Sequence, residues 1–279
     1  MTRRLRFAIN RISAPRLAFA EFAAMCRRLG VDAIEIRNDL PGVEIVDGSP
    51  AREIGAIARG QGLAIRSINA LYPFDCCDDA LEATASRLIA YAAGCGAQAL
   101  VMCPLNSRDD PRSAGQRHTD RVHSLRRLRP LLEGAGLVGL VEPLGFEESS
   151  LRRKSQAVRA LQEVDAGATL RLVHDSFHHH LAGEDRFFPE WTGLVHVSGV
   201  EDAALDASAM RDGHRVLVGA ADRLGNAAQL RTLLDAGYDG YVSFEPFAEE
   251  IAAARDIEAR LAASMKHLQD AVAEVGAAA

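Results

Sequence analysis

The sequence predicts a single (β/α)8 barrel spanning residues 1–279 as one domain, and three observations carry that prediction. Short, apolar, β-branched runs alternate with longer segments of helical period, the pattern of repeated βα units on a parallel sheet. Eight such runs occur, and no proline- or serine-rich linker or shift of composition divides them. A length of 279 residues is ordinary for one α/β barrel and does not require a second domain.

The predicted strands are residues 5–10, 33–37, 64–69, 99–103, 139–142, 170–175, 193–198 and 240–245. Several are apolar almost throughout, as expected of strands covered on both faces. Predicted helices occupy 17–29, 51–61, 78–93, 113–133, 154–164, 227–236 and 251–275. Gly30, Gly62 and Gly237 stand where a residue able to take positive φ closes a helix. Only the sixth helix is poorly marked, because 178–185 is short and polar. A doubly wound open sheet would carry a glycine-rich phosphate loop after its first strand; Asn10-Arg11-Ile12-Ser13 stands there instead.

Composition narrows the partners. A formal net charge of −6 disfavours nucleic acid, whose binding runs on counterion release by a basic face. The arginine-rich stretch Arg121, Arg126, Arg127, Arg129 reads as a solvated helix face. No apolar run approaches the roughly 18 residues needed to span a bilayer, and the basic residues 1–6 are not followed by the apolar core of a signal peptide. The five cysteines (Cys26, Cys76, Cys77, Cys95, Cys103) are odd in number, lack a Cys-x-x-Cys pair and read as reduced thiols. A soluble cytoplasmic protein acting on a small molecule is expected, with neither nucleic acid nor membrane as partner. The oligomeric state is left open, a homo-oligomer being compatible.

Residues at the C-terminal ends of barrel strands face the active site. The fifth strand ends in Glu142, the sixth in Asp175, the seventh near His196 and the eighth in Glu245. Converging carboxylates repel one another and are costly to bury unless a cation lies between them. A divalent ion meets that need most simply. An oxygen-rich shell with one nitrogen suits Mn²⁺, Mg²⁺ or Co²⁺ and admits Zn²⁺. Taken singly, each residue has a plainer reading: the glutamates as ion-pair partners, Asp175 as a helix N-cap, His196 as a core histidine. Four such residues on four successive strands favour the joint metal reading.

The segments Val141-Glu142-Pro143-Leu144-Gly145, His174-Asp175-Ser176-Phe177-His178, Val195-His196-Val197-Ser198 and Ser243-Phe244-Glu245-Pro246 resemble the motifs of the xylose isomerase-like TIM-barrel superfamily. Within it the chain is most similar to the inosose (2-keto-myo-inositol) isomerase group, over nearly its whole length. The resemblance implies that Glu142, Asp175, His196 and Glu245 ligate a divalent metal, and that His178 and Arg215 contact substrate. It implies a role in carbohydrate metabolism such as inositol catabolism. The chain departs from the pattern after Arg215, where a Pro-Gly-x-Gly turn is replaced by Leu217-Val218-Gly219-Ala220-Ala221-Asp222.

The remaining polar candidates are weighed on position. Consecutive helical side chains diverge by about 100°, so His178, His179 and His180 do not share one ion readily. His179 and His180 are assigned to the helix surface or to a supporting layer. His174 precedes Asp175 on a strand and points to the opposite face, toward the helices. Glu35 ends the second strand, where an ion pair competes with a place at the mouth. Asn10, Asn69 and Tyr72 are placed to hydrogen-bond substrate hydroxyls. Trp191 and Cys103 read as packing residues, the latter lacking a neighbouring base to activate it.

The expected activity is isomerisation or epimerisation of a small sugar or polyol ketone, inosose-like, by proton transfer through a metal-stabilised enediolate. Glu142 and Glu245 serve as the acid–base pair. A dehydratase would use the same residues. An apurinic endonuclease would want further His and Asp ligands and basic loops. A non-catalytic sugar-binding protein has no use for the acid–base pair.

Overall fold

The computed structural model describes residues 4–76 and 78–278; Cys77, counted above among the thiols, and residues 1–3 lie outside them. Eight parallel strands pair in sequence order and close on themselves. They are β1 (Arg6–Asn10), β2 (Ala33–Arg37), β3 (Ala64–Leu71), β4 (Ala99–Met102), β5 (Val138–Val141), β6 (Leu170–Asp175), β7 (Thr192–Val197) and β8 (Tyr241–Phe244). Closure is made by β8 on β1, with Ala8 beside Ser243 and Ile9 beside Phe244. The outer layer comprises α1 (Phe19–Arg28), α2 (Ala51–Gly60), α3 (Asp79–Cys95), α4 (Ala114–Gly134), α5 (Lys154–Glu163), α6 (Ser176–Ala182), α7 (Asn226–Asp235), α8 (Glu249–Ala252) and α9 (Ile257–Ala278). The expected (β/α)8 barrel is therefore the observed one. No helix among the described residues is long and apolar enough to cross a membrane.

Strand periodicity sorts the core into two parts. Outward-facing residues pack with the helices into one large apolar cluster. Inside the barrel, Ala99, Val101, Leu140, Val173 and Leu194 form a separate buried plug. On β5, β6 and β7 the next inward position, two residues on, is Glu142, Asp175 or His196. The apolar plug is thus the floor on which the polar site rests.

Three expectations need correction. The predicted helix 251–275 is two helices, broken at residues 253–256. Ile251 and Ile257 are both buried, yet six residues of straight helix would set them about 120° apart; the break lets both face the core. The sixth helix starts at Ser176, not 178, because Asp175 caps it directly and no loop intervenes. The arginine stretch is not a solvated face. Arg121 is buried and donates to the Ser150 carbonyl at 2.7 Å. Arg127 bonds Glu82 and Asp79, and Arg129 donates to the Val164 and Asp165 carbonyls at the end of α5. Arg126 alone stays exposed.

The predicted helix stops are present: Gly30 and Gly237 follow α1 and α7 with φ of 74° and 95°. Two other glycines give a test of packing. A Cβ at Gly55 in α2 would lie 2.4 Å from the Cys95 carbonyl oxygen of the neighbouring α3, whereas one at Gly60 would meet nothing within 4 Å. Gly55→Ala should therefore destabilise by about 1–3 kcal/mol through overpacking. Gly60→Ala should be neutral or stabilise by up to ~1 kcal/mol through helix propensity. Urea unfolding of the two variants checks this, and equal effects would contradict it.

Candidate metal centre

At the C-terminal end of the barrel, Glu142, Asp175, His196 and Glu245 each offer one ligand-type atom, and these atoms all lie within 4.8 Å of one another. All four residues are buried. Strand register brings two of them side by side, since Asp175 pairs with His196 across β6 and β7. Glu142 and Glu245 each sit one residue beyond their strand. Their N–H groups are fixed by the neighbouring strand ends, Glu142 to the Met102 carbonyl at 3.0 Å and Glu245 to the Val197 carbonyl at 2.9 Å.

His196 is the hub. Its Nδ1 lies 3.0 Å from Glu142 Oε1 and 3.2 Å from Glu245 Oε2, while its Nε2 lies 3.2 Å from Glu35 Oε2. Burial alone would drive the proton off, yet Glu245, Glu35 and Glu142 outweigh it and hold the imidazole well above its ordinary pKa. The same pairing reverses the effect of burial on Glu35 and brings its carboxyl down to about 2. Burial likewise opposes charge on Glu245, and His196, Arg215 and Arg37 overcome it to hold the carboxyl low.

Glu35 therefore meets both of its readings, lying at the mouth and making its ion pair there with His196. Ser67 Oγ and Asn69 Nδ2 both donate to its Oε2, the latter at 2.9 Å. With Nε2–H of His196 given to Glu35, Nδ1 is the nitrogen turned to the carboxylates, the arrangement by which a carboxylate orients a metal-binding histidine. Asn10 Nδ2 reaches Glu245 Oε1 at 3.2 Å. Asn10 and Asn69 are thus engaged with carboxylates, and Tyr72, half exposed, accepts from the Asn106 N–H. Cys103 is not only a packing residue: its thiol lies 3.4 Å from Glu142 Oε2. Burial and that carboxylate push its pKa well up, which keeps it a neutral thiol. Trp191 packs against the core as expected.

Asp175 does two jobs. Its Oδ1 accepts from the Phe177 and His178 N–H groups at 2.7 and 3.0 Å, and its Oδ2 accepts from Arg215 Nη2 at 2.6 Å. Arg215 is buried in the site, with Nη2 also 3.1 Å from Glu245 Oε2 and Nε donating to Ser198 Oγ at 2.9 Å. His178 is buried edge-on between Phe146 and Phe177, and its Nδ1 has no hydrogen-bond partner. Of its two readings His179 takes the supporting layer: it is buried, packed against His174 of β6 and Phe187 of the segment between α6 and β7. His180 is partly exposed.

Sequence reasoning missed Arg37. It follows Glu35 by two positions on β2 and so shares its inward face. Its Nη1 donates to Glu245 Oε1 at 2.8 Å. The alternation Glu35-Ile36-Arg37 held the signal.

The donor set fits a divalent ion: three carboxylates and one imidazole nitrogen, clustered and buried, with a supporting carboxylate on the far nitrogen. The cluster is the only such group of metal-ligand residues among the described residues.

The chain is thus a closed parallel α/β barrel with a candidate ligand cluster at its strand ends, and comparison with known proteins narrows the class. The sequence profile of the xylose isomerase-like TIM barrel family matches residues 23–271, and the chain belongs to that family. A xylose isomerase domain containing protein from Salmonella typhimurium is 32% identical, with a TM-score of 0.86 and 98% of each chain covered. The IolI protein, whose structure holds a zinc atom, is 21% identical with a TM-score of 0.83, over 97% of this chain and 99% of that one. The 3-keto-D-glucoside 4-epimerase YcjR from E. coli is 19% identical with a TM-score of 0.73, over 96% and 100%. No curated protein matches.

Behind the site, His174 points outward as expected. It is held between Lys154 Nζ, 2.7 Å from its Nδ1, and Gln229 Oε1, 2.9 Å from its Nε2. Burial pushes Lys154 down to about 7, with Glu184 pulling weakly the other way. The unfolded chain keeps this ammonium protonated up to about 10.4. Between those values the unfolded state binds more protons, so stability attributable to Lys154 rises with pH. The stability of the wild type relative to Lys154→Met should climb from pH 7.5 to 10 with a slope of up to about 1.4 kcal/mol per unit. Parallel pH profiles in chemical denaturation would refute this.

Proposed function

We propose that the chain is a divalent-metal-dependent isomerase or epimerase of a small, inosose-like sugar or polyol ketone. The observation that carries this reading is the buried four-residue cluster at the ends of four consecutive strands, in a chain of the xylose isomerase-like family. Glu142, Asp175, His196 through Nδ1, and Glu245 would hold the ion. When bound, it supplies Lewis-acid polarisation of a substrate carbonyl, of the metals Mn²⁺, Mg²⁺, Co²⁺ or Zn²⁺.

The chain's own residues handle the proton. Glu142 and Glu245 form the acid–base pair on two sides of the site, taking the proton from the carbon next to the carbonyl and returning it. Glu142 Oε2, with only the Cys103 thiol against it, is the more available oxygen. His178 Nδ1, buried and unpartnered, is placed to orient a substrate oxygen. Arg215 meets negative charge developing there. A single cluster among the described residues, rather than several, disfavours the multi-metal endonuclease reading. The four described cysteines are free thiols, which supports a reducing, cytoplasmic setting.

The test is turnover of inososes, ketohexoses, pentuloses and hydroxypyruvate in heavy water with added Mn²⁺. Deuterium should appear at the carbon next to the carbonyl; direct evidence of hydride transfer between carbons would overturn the proton mechanism. On the substrate so found, Glu142→Gln should lower kcat by about 10²–10⁴-fold, the usual worth of a placed acid–base group. His178→Asn should lower kcat/KM while leaving Mn²⁺ affinity near that of the wild type. Loss of Mn²⁺ in His178→Asn with unchanged turnover in Glu142→Gln would reverse the roles assigned here.

A further inference from the structure

Arg37 is a guanidinium buried at the end of β2, its side chain only 7% exposed. Two of its donors, Nε and Nη2, grip Asp39 at 2.8 and 2.7 Å. Its flat face lies against the Phe247 ring, 5.1 Å from the centroid. Held on those sides, it turns one donor inward: Nη1, 2.8 Å from Glu245 Oε1.

The two oxygens of Glu245 are consequently unlike. Oε1 faces the barrel wall, between Arg37 Nη1 and Asn10 Nδ2. Oε2 faces the centre of the cluster, 3.2 Å from His196 Nδ1 and 3.1 Å from Arg215 Nη2. A carboxylate free to rotate would offer either oxygen, or both, to an ion.

We infer that Arg37, anchored by Asp39, is a positioning residue that fixes Glu245 as a one-oxygen metal ligand through Oε2. This rests on the metal reading above but not on the identity of the sugar. It also makes the two acid–base carboxylates unequal: with Oε1 of Glu245 held by Arg37, Oε2 of Glu142 is the freer oxygen. A lysine would not replace Arg37 fully, because one ammonium does not hold Asp39 through two parallel bonds while reaching Glu245.

The test titrates Co²⁺ alone into the full-length wild type, Arg37→Met, Arg37→Lys and Asp39→Asn, reading affinity and the visible absorption of the bound ion, with circular dichroism to confirm folding. Arg37→Met should weaken Co²⁺ binding by about 10–100-fold, the usual cost of losing a residue that orients a ligand. Its visible bands should change, because Glu245 is freed to bind through both oxygens and coordination rises. Arg37→Lys should recover part of the affinity, and Asp39→Asn should weaken it in the same direction. Wild-type affinity and an unchanged spectrum in Arg37→Met overturn the inference. Should that variant not fold, wild-type affinity and spectrum in both Arg37→Lys and Asp39→Asn overturn it instead. A wild-type chain that takes up no Co²⁺ overturns the metal reading itself, which separates the two failures.

Discussion

The structure depends on how negative charge is held at the end of the barrel. Glu35, Glu142, Asp175 and Glu245 are all buried within reach of a single imidazole. Carboxylates so placed would ordinarily take up protons to escape one another. Here His196, Arg215 and Arg37 are threaded among them, each touching at least one carboxylate at 2.6–3.0 Å, and these contacts favour the ionised forms of Glu35 and Glu245. Such a network contributes little net stability, since desolvation offsets most of the attraction. Its value is that every member is fixed in direction.

The barrel supplies the means. Period-two alternation sends Leu140, Val173 and Leu194 into the plug and the next inward residues into the site. Closure of β8 on β1 brings Glu245 to within bonding distance of Asn10 and, one strand further on, of Arg37 on β2. An open sheet would leave those residues at opposite edges. The apolar floor also keeps water from reaching the carboxylates from below, which strengthens the ion pairs above it.

Much of this was legible in the sequence, for a physical reason: strand ends are where a short apolar run stops at a charged residue, and four such stops in order are hard to miss. What escaped notice was held by partners remote in the chain. Arg121 reads as a surface residue of a charged helix until the Ser150 carbonyl, 29 positions away, is seen against it. Arg37 reads as the polar end of a strand until Glu245 arrives from β8, which closure places just beyond β1. The sixth helix is too short for its apolar pair, Phe177 and Leu181, to announce it, and its start is set by one aspartate. Hydrophobic period records which face is dry; it is silent about polar groups dried by one another.

The double engagement of Asp175 has a consequence for how this mouth can vary. One oxygen closes the first turn of α6 and the other belongs to the charged cluster. Capping of this kind is worth about 0.5–2 kcal/mol, so the seven-residue helix and the cluster share a single fastening. Insertion or deletion between positions 175 and 178 would detach the imidazole of His178 from the frame that holds Arg215. Changes of length are easier to accommodate elsewhere, as in the loop between β4 and α4, which carries none of the four cluster residues, His178 or Arg215. In that sense the shortest connection in the barrel is its datum, and the long ones are its vocabulary.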